Sequence, residues 1–240
     1  MMEDNIYFRK VGLKMPGYIE CLKTIGLFTY LSEDQLAEVD SLVMERTYQK
    51  GRIIFVEDEP GEAVFFLREG RVKISKQADD GREQILHFIH PGEMFAEVVL
   101  FDGGDYPATA EAVEDSRIGM IKNSDMERIT LENSGIALGI LKIMSRRLRM
   151  AQKQINDLAL MDTSRRMAST LLFLVAEQGV PGECGIVIDM SLTNQDLANM
   201  IGTSRETANR ILSDMRRQKA LQVNNRQIII TDMKKLKSWL

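Results

Sequence analysis

Long apolar runs are missing from this chain. No stretch reaches the ~18 apolar residues of a membrane span, so no transmembrane helix is expected. Cysteine is scarce. Cys21 and Cys184 are too few for a disulfide scaffold and cannot hold an iron–sulfur cluster within one chain. A reduced cytoplasm is therefore the expected setting. The N-terminus, Met1-Met2-Glu3-Asp4, is acidic and lacks the basic and apolar regions of a secretory signal, so none is expected. His87 and His90 are the chain's two imidazoles. No Walker motif, metal-ligand spacing or nucleophile with a paired base occurs, and Gly103-Gly104 reads as a turn, so catalysis is not expected.

What remains is an ordinary globular composition, 44% hydrophobic and 28% charged over 240 residues, enough for one large domain or two modest ones. Fifteen methionines read as flexible core and interface filler. The net charge of −4 is unevenly spread: residues 160–240 carry 11 Lys/Arg against 8 Asp/Glu, whereas residues 1–159 carry 20 against 27. An acidic body with a mildly basic end suits a protein that meets phosphates at one end only.

Three textures divide the chain. After a poorly patterned start with a loop at Met15-Pro16-Gly17, Ser32 and Gln35 predict a capping box that opens a helix. From Tyr48 to about Ile121, glycine-bearing turns recur roughly every ten residues, as at Lys50-Gly51, Pro60-Gly61, Glu69-Gly70, Asp80-Gly81 and Pro91-Gly92, with short apolar runs between them. That pattern predicts a β-sandwich or barrel. Past Ser124 the texture is helical. Leu141, Met144, Leu148, Ala151, Ile155 and Leu158 follow one another at gaps of three and four, the seam of a two-stranded coiled coil, so these residues predict self-pairing. A single amphipathic helix packed on its own domain is the alternative. A fresh N-cap follows at Asp162-Thr163-Ser164, then a helix over Arg165–Gln178 stopped by Gly179, Pro181 and Gly182. A short strand at Gly185–Ile188, two helices, and a hairpin with its turn at Asn224-Asn225 complete a winged helix-turn-helix.

The two-helix stretch carries the chemistry. Thr193 is placed to cap the first helix, with Asp196 at its favourable N-terminal end. Ala198 is small where the second helix must cross closely, Gly202 supplies the positive φ of a tight turn, and Ser204 caps the second helix. Arg205, Glu206, Asn209 and Arg210 are left on or near the outer face, where such helices meet base edges in the major groove. Arginine forks onto guanine O6 and N7, and glutamate accepts from cytosine N4. A glutamate between arginines makes little sense for non-specific phosphate binding. The competing reading is an exposed charged helix with Glu206 and Arg210 as an i, i+4 pair. Phosphate contacts are expected from Thr193, Ser204 and helix N-terminal amides, with Arg226 adding another from the hairpin.

Taken together, Gly202-Thr203-Ser204-Arg205-Glu206-Thr207-Ala208-Asn209-Arg210, the glycine-punctuated roll and the long helix resemble the Crp/Fnr superfamily of bacterial transcription regulators over nearly the whole chain. The resemblance implies an α+β fold with a cyclic-nucleotide-binding-like β-roll (residues 1–123), a dimerisation helix region (124–161) and a winged helix-turn-helix (162–240). It also implies a TGTGA-like inverted repeat read by Arg205, Glu206 and Arg210, and RNA polymerase as a further partner. An effector in the roll is implied to reposition the DNA-binding domains. The family's cyclic-AMP receptors bind ribose through a G-E-L segment and phosphate through a later R-[ST]-A segment. Here the matching residues are Ala96-Glu97-Val98 and Pro107-Ala108-Thr109, following Tyr106. Glu97 remains to accept from a ribose hydroxyl. Without a cation or hydroxyl at Pro107 and Ala108, a buried phosphate loses its charge-assisted hydrogen bonds, so cyclic AMP is not the expected ligand. The pocket segment F-A-E-x-x-x-F…Y-x-A-T-A-x-A-V resembles the Dnr and HcpR branches, haem-linked sensors of nitric oxide. Haem is thus a candidate cofactor with His87 or His90 as axial ligand, against the reading that both are ordinary strand-end residues. A cyclic-nucleotide-like module acting on a protein partner, without DNA, is the rival function. An Fnr-type cluster is not expected, because its cysteines are missing.

Overall fold

The computed structural model describes residues 18–28, 31–224 and 227–240. The loop expected at Met15-Pro16-Gly17 and the phosphate contact expected from Arg226 lie outside the described residues, as does Asn225 of the hairpin turn. Two helices, α1 (Tyr18–Thr24) and α2 (Glu33–Leu42), precede the roll. The Ser32 box closes as its spacing predicts: the Ser32 hydroxyl accepts from the Gln35 amide and the Gln35 side chain accepts from the Ser32 amide.

The roll runs β1 (Met44–Tyr48), β2 (Ile53–Phe55), β3 (Ala63–Glu69), β4 (Val72–Gln77), β5 (Glu83–Ile89), β6 (Met94–Phe95), the short helix α3 (Val99–Asp102), β7 (Thr109–Ala112) and β8 (Ser116–Lys122). They pair antiparallel into two sheets, ordered β1-β8-β3-β6 and β2-β7-β4-β5. Phe55, Phe65, Leu67, Val72, Ile89, Phe95 and Ile118 come from both sheets and form one core between them. Along β3 consecutive residues are buried, because Val64 and Phe66 face the other way into a second core. That core lies beneath α1, α2, α4 (Asn123–Glu132) and α5 (Ser134–Leu160), with Leu27, Phe28, Met126, Ile136 and Ile140. Gly139 lets α5 approach closely: a Cβ there would sit 2.8 Å from Leu27 Cδ1.

The C-terminal part comprises α6 (Thr163–Gln178), β9 (Gly179–Gly182), β10 (Gly185–Ile188), α7 (Asn194–Ile201), α8 (Arg205–Arg217), β11 (Leu221–Asn224), β12 (Gln227–Ile230) and α9 (Met233–Lys237). Asp162 caps α6, accepting from the Arg165 amide at 2.9 Å. The stop signals at Gly179, Pro181 and Gly182 conceal a strand. β9 pairs with β10 at the edge of a sheet ordered β11-β12-β10-β9. An edge strand tolerates proline because one side of its backbone owes no ladder bonds.

Candidate nucleic-acid interface and effector site

The helix-turn-helix is built from local bonds. Thr193 Oγ1 accepts from the Asp196 amide at 3.1 Å while Asp196 Oδ2 accepts from the Thr193 amide at 2.8 Å, closing a capping box on α7. Gly202 adopts φ 64, and the Thr203 amide donates back to the Ala198 carbonyl. The Ser204 hydroxyl accepts from the Thr207 amide at 3.2 Å and starts α8. Ala198 and Ala208 are fully buried, which lets the two helices cross closely. The apolar residues Ala208, Ile211, Leu212 and Met215 take one face of α8. Arg205 is exposed, as are Glu206, Arg210, Ser213 and Arg217, which recur at helical spacing along the opposite side.

Glu206 turns back to the helix start. A bond from its own backbone amide and then one from the Ser204 hydroxyl, together with the charge of Arg205, hold its carboxyl below the usual range against a small burial effect. It is therefore an ionised acceptor at neutral pH. Among the described ion pairs none joins Glu206 to Arg210. Asn209 differs from its neighbours. It is half-buried, and its Oδ1 accepts from Asn194 Nδ2 at 2.5 Å, so its carbonyl oxygen already bridges α8 to the start of α7.

The expected seam on α5 is open to solvent. Leu141 and Leu148 are each 60% exposed, and Ile155 and Leu158 are more than half exposed, far more than an aliphatic stripe packed on its own domain. Ala151 is exposed with them, but Met144 leans partly onto the core beneath α5. The helix ends at Met161. Arg166 fixes the junction there, with Nη1 donating to the Met161 carbonyl at 2.8 Å and Nε to the Ile201 carbonyl at 2.9 Å.

In the roll, Glu97 is 1% exposed and fully engaged. Arg147, from α5, brings Nη1 to within 2.6 Å of both its carboxylate oxygens and donates through Nη2 to the Met94 carbonyl at 2.6 Å. The preceding Ala96 holds φ 61, where an L side chain is strained and glycine is favoured. Tyr106 is buried and stacks on Phe55 with ring centroids 4.0 Å apart. Its hydroxyl donates to the Ala63 carbonyl and accepts from the Glu62 and Ala63 amides. Thr109 accepts from the Glu57 amide. Ala108 is buried, whereas Pro107 faces solvent.

His87 and His90 both lie on or beside β5. Burial, and then the charge of Arg147, push His87 down to about 3, and its Nε2 is buried without a hydrogen-bond partner. Burial, and then Arg71, push His90 down to about 4. Both imidazoles are neutral at pH 7. A neutral, unpartnered imidazole nitrogen can donate to a metal, so of the two histidines His87 is the one that would hold a haem iron. Sequence periodicity picks out apolar stripes and missed Arg147, Asn194 and Arg166. Arg147 is 50 residues from Glu97, a separation at which no local pattern signals a pair.

Comparison with known proteins gives two matches along the chain. A family model for the cyclic nucleotide-binding domain matches residues 45–133, and one for the Crp-like helix-turn-helix domain matches residues 165–239. The chain is similar to a CRP-like cAMP-activated global transcriptional regulator of Mycobacterium tuberculosis, 27% identical over 90% of this chain and 97% of the relative. It is 29% identical to the anaerobic regulatory protein of Bacillus subtilis, over 83% of this chain and 84% of that one. The solved structure of FixK2 from Bradyrhizobium japonicum superposes with a TM-score of 0.74 at 28% identity, covering 82% of this chain and 96% of the other.

Proposed function

We propose that this chain, which belongs to the Crp/Fnr family of DNA-binding transcription regulators, reads a TGTGA-like inverted repeat as a homodimer whose β-roll gates the reader. The observation that carries this is the ridge on α8, where capped helix geometry leaves Arg205, Glu206 and Arg210 exposed side by side. Arg205 and Arg210 fork onto guanines and the ionised Glu206 accepts from cytosine. Phosphates are received at the helix starts capped by Thr193 and Ser204, where the first-turn amides of α7 and α8 are the donors because both hydroxyl protons are spent on Asp196 and Thr207. Asn209 stands with Arg205, Glu206 and Arg210 as a base contact through its Nδ2, while its Oδ1 is bonded to Asn194.

The open seam on α5 supports self-pairing through Leu141, Leu148, Ala151, Ile155 and Leu158. A dimer must set its recognition helices about one duplex turn, roughly 34 Å, apart, and the junction at Met161 is where that spacing is adjusted. In the roll, Pro107 and Ala108 offer a phosphate no cation or hydroxyl, and Glu97 is already paired with Arg147, so the effector is not cyclic AMP. The F-A-E and Y-x-A-T-A segments support a place near the Dnr and HcpR branches, with haem on His87 as the candidate effector. An absorption spectrum after haem reconstitution tests it: a Soret band that His87→Ala loses supports haem, and no band rejects it.

As a regulator the chain is not expected to catalyse a reaction, and its expected partners are duplex DNA, a second copy and RNA polymerase in the cytoplasm. No helix among the described residues is long and apolar enough to cross a membrane. The capped α7–α8 pair, which a module acting only on a protein partner has no use for, favours DNA over that alternative. The deciding experiment is a gel-shift titration with a TGTGA palindrome. Retarded wild-type complex, lost in Arg205→Ala, supports the reading, and equal binding of a scrambled duplex rejects it.

A further inference from the structure

Strand β5 lies between the long helix and the helix-turn-helix and is bonded to both. On one side Gln154 of α5 donates to the Leu86 carbonyl at 2.9 Å. On the other, Gln84 Nε2 donates to the Met200 carbonyl at 3.1 Å, and Phe88 packs against the core of the winged domain. The α7–α8 turn comes so close that a Cβ on Gly202 would sit 3.3 Å from Gln84 Oε1 and 3.5 Å from Leu158 Cδ2.

At the centre of this contact is a polar chain that crosses the domain boundary. Lys73 of β4 pairs with Glu83 of β5 at 2.7 Å and with Glu111 of β7 at 2.9 Å. The Glu83 carboxylate accepts from Asn199 Nδ2 at 2.7 Å, and Asn199 Oδ1 accepts from Gln195 Nε2, also at 2.7 Å. Asn199 is only 8% exposed, so both ends of its amide need partners, and one of those partners belongs to the other domain. Gln195 stands in the first turn of α7, one residue from Asn194, which is itself bonded to Asn209 of α8. Hydrogen bonds from the roll sheet thus reach the first turn of α7, and the neighbouring residue of that turn is bonded to the recognition helix.

We propose that Asn199 is a positioning residue for DNA recognition, clamped by Glu83 so that α8 is held in the orientation that presents Arg205, Glu206 and Arg210. Lys73 is the anchor: it is held by a second carboxylate, Glu111, and binds Glu83 through Oε1, while Glu83 Oε2 accepts from the amide. This inference rests on the DNA-reading function proposed above and adds the contact through which the roll governs the reader. It places the control of α8 in the β4–β5 hairpin as well as in the junction at Met161.

The test uses the full-length protein and two variants. Asn199→Asp sets a carboxylate against Glu83 and should open the clamp. Glu83→Gln with Asn199→Asp reverses donor and acceptor and should close it again. Amide hydrogen exchange without DNA is followed over β5 and α7, and affinity is measured on a labelled TGTGA inverted repeat. The single variant should exchange faster over both segments and bind about tenfold more weakly, and the double variant should recover both readings. Wild-type exchange and affinity in Asn199→Asp would overturn the proposal, as would a double variant no better than the single one. If the wild-type protein fails to bind the duplex, the DNA-reading function is what fails, and the exchange data still decide whether the clamp exists.

Discussion

The two ends of the molecule treat their charged side chains in opposite ways. On α8, Arg205, Glu206 and Arg210 stand in solvent with bonding capacity to spare. In the roll, Glu97 is buried and both its oxygens are taken by Arg147, and the Tyr106 hydroxyl is bonded to backbone on both sides. One surface is prepared for a partner that supplies the missing bonds. The other has satisfied itself, so an effector there must displace an existing bond or act beside it. The difference follows from desolvation: an exposed arginine loses little by waiting, whereas a buried carboxylate without a cation is costly.

The sharpest way to break this contrast is to strip the roll of its internal partner. Arg147→Ala leaves Glu97 buried and unpaired and should lower unfolding free energy by about 3 kcal/mol, measured by urea titration. Pairing it with Glu97→Gln should return much of that loss, because the abandoned charge is gone. The same truncation on the outer surface should behave in reverse. Arg205→Ala should leave the urea midpoint within error and weaken operator binding by about 2 kcal/mol, with relaxed preference at the guanine it reads.

Acid probes the buried side as well. The folded-state pKa of His87, about 3, lies below its unfolded value near 6.5, so the unfolded chain takes up the proton first. Stability from this group is complete only about a unit or more above pH 6.5 and is lost progressively as the pH falls through 6.5 towards 3. Between pH 6.5 and 5 the loss from His87 should be about 1.6 kcal/mol, and His87→Gln should flatten that part of the curve. The smallest expected effect is a gain. Ala96→Gly relieves a positive φ beside Glu97 and should raise stability by about 1 kcal/mol in thermal melts, with operator affinity unchanged.

The same contrast decides what could be read from the sequence. The reader on α8 depends on bonds three residues apart, Thr193 to Asp196 and Ser204 to Thr207, and on one glycine in a tight turn, so its residues announce it locally. Strands β2, β3, β4, β5, β7 and β8 of the roll were legible because turns bound them, whereas β1, which ends at Tyr48 where that texture begins, and the two-residue β6 were not. Strand β9 was hidden, since Gly179, Pro181 and Gly182 carry stop signals and the strand exists only through its pairing with β10. The Arg147–Glu97 bond and the Asn199–Glu83 clamp join residues 50 and 116 positions apart, and their charged or polar character reads as surface until the fold brings them together. Asn209 was expected at a base edge for its place on the helix, but a partner on α7, invisible in the local pattern, already holds its carbonyl oxygen.

The central claim is that the exposed ridge on α8 reads sequence. Competition titration compares the TGTGA inverted repeat with a scrambled duplex of equal length at fixed salt. The account predicts that the repeat is preferred by about a thousandfold or more, and that Arg205→Ala lowers this preference about thirtyfold while keeping the scrambled-duplex affinity. Equal affinity for the two duplexes would contradict it.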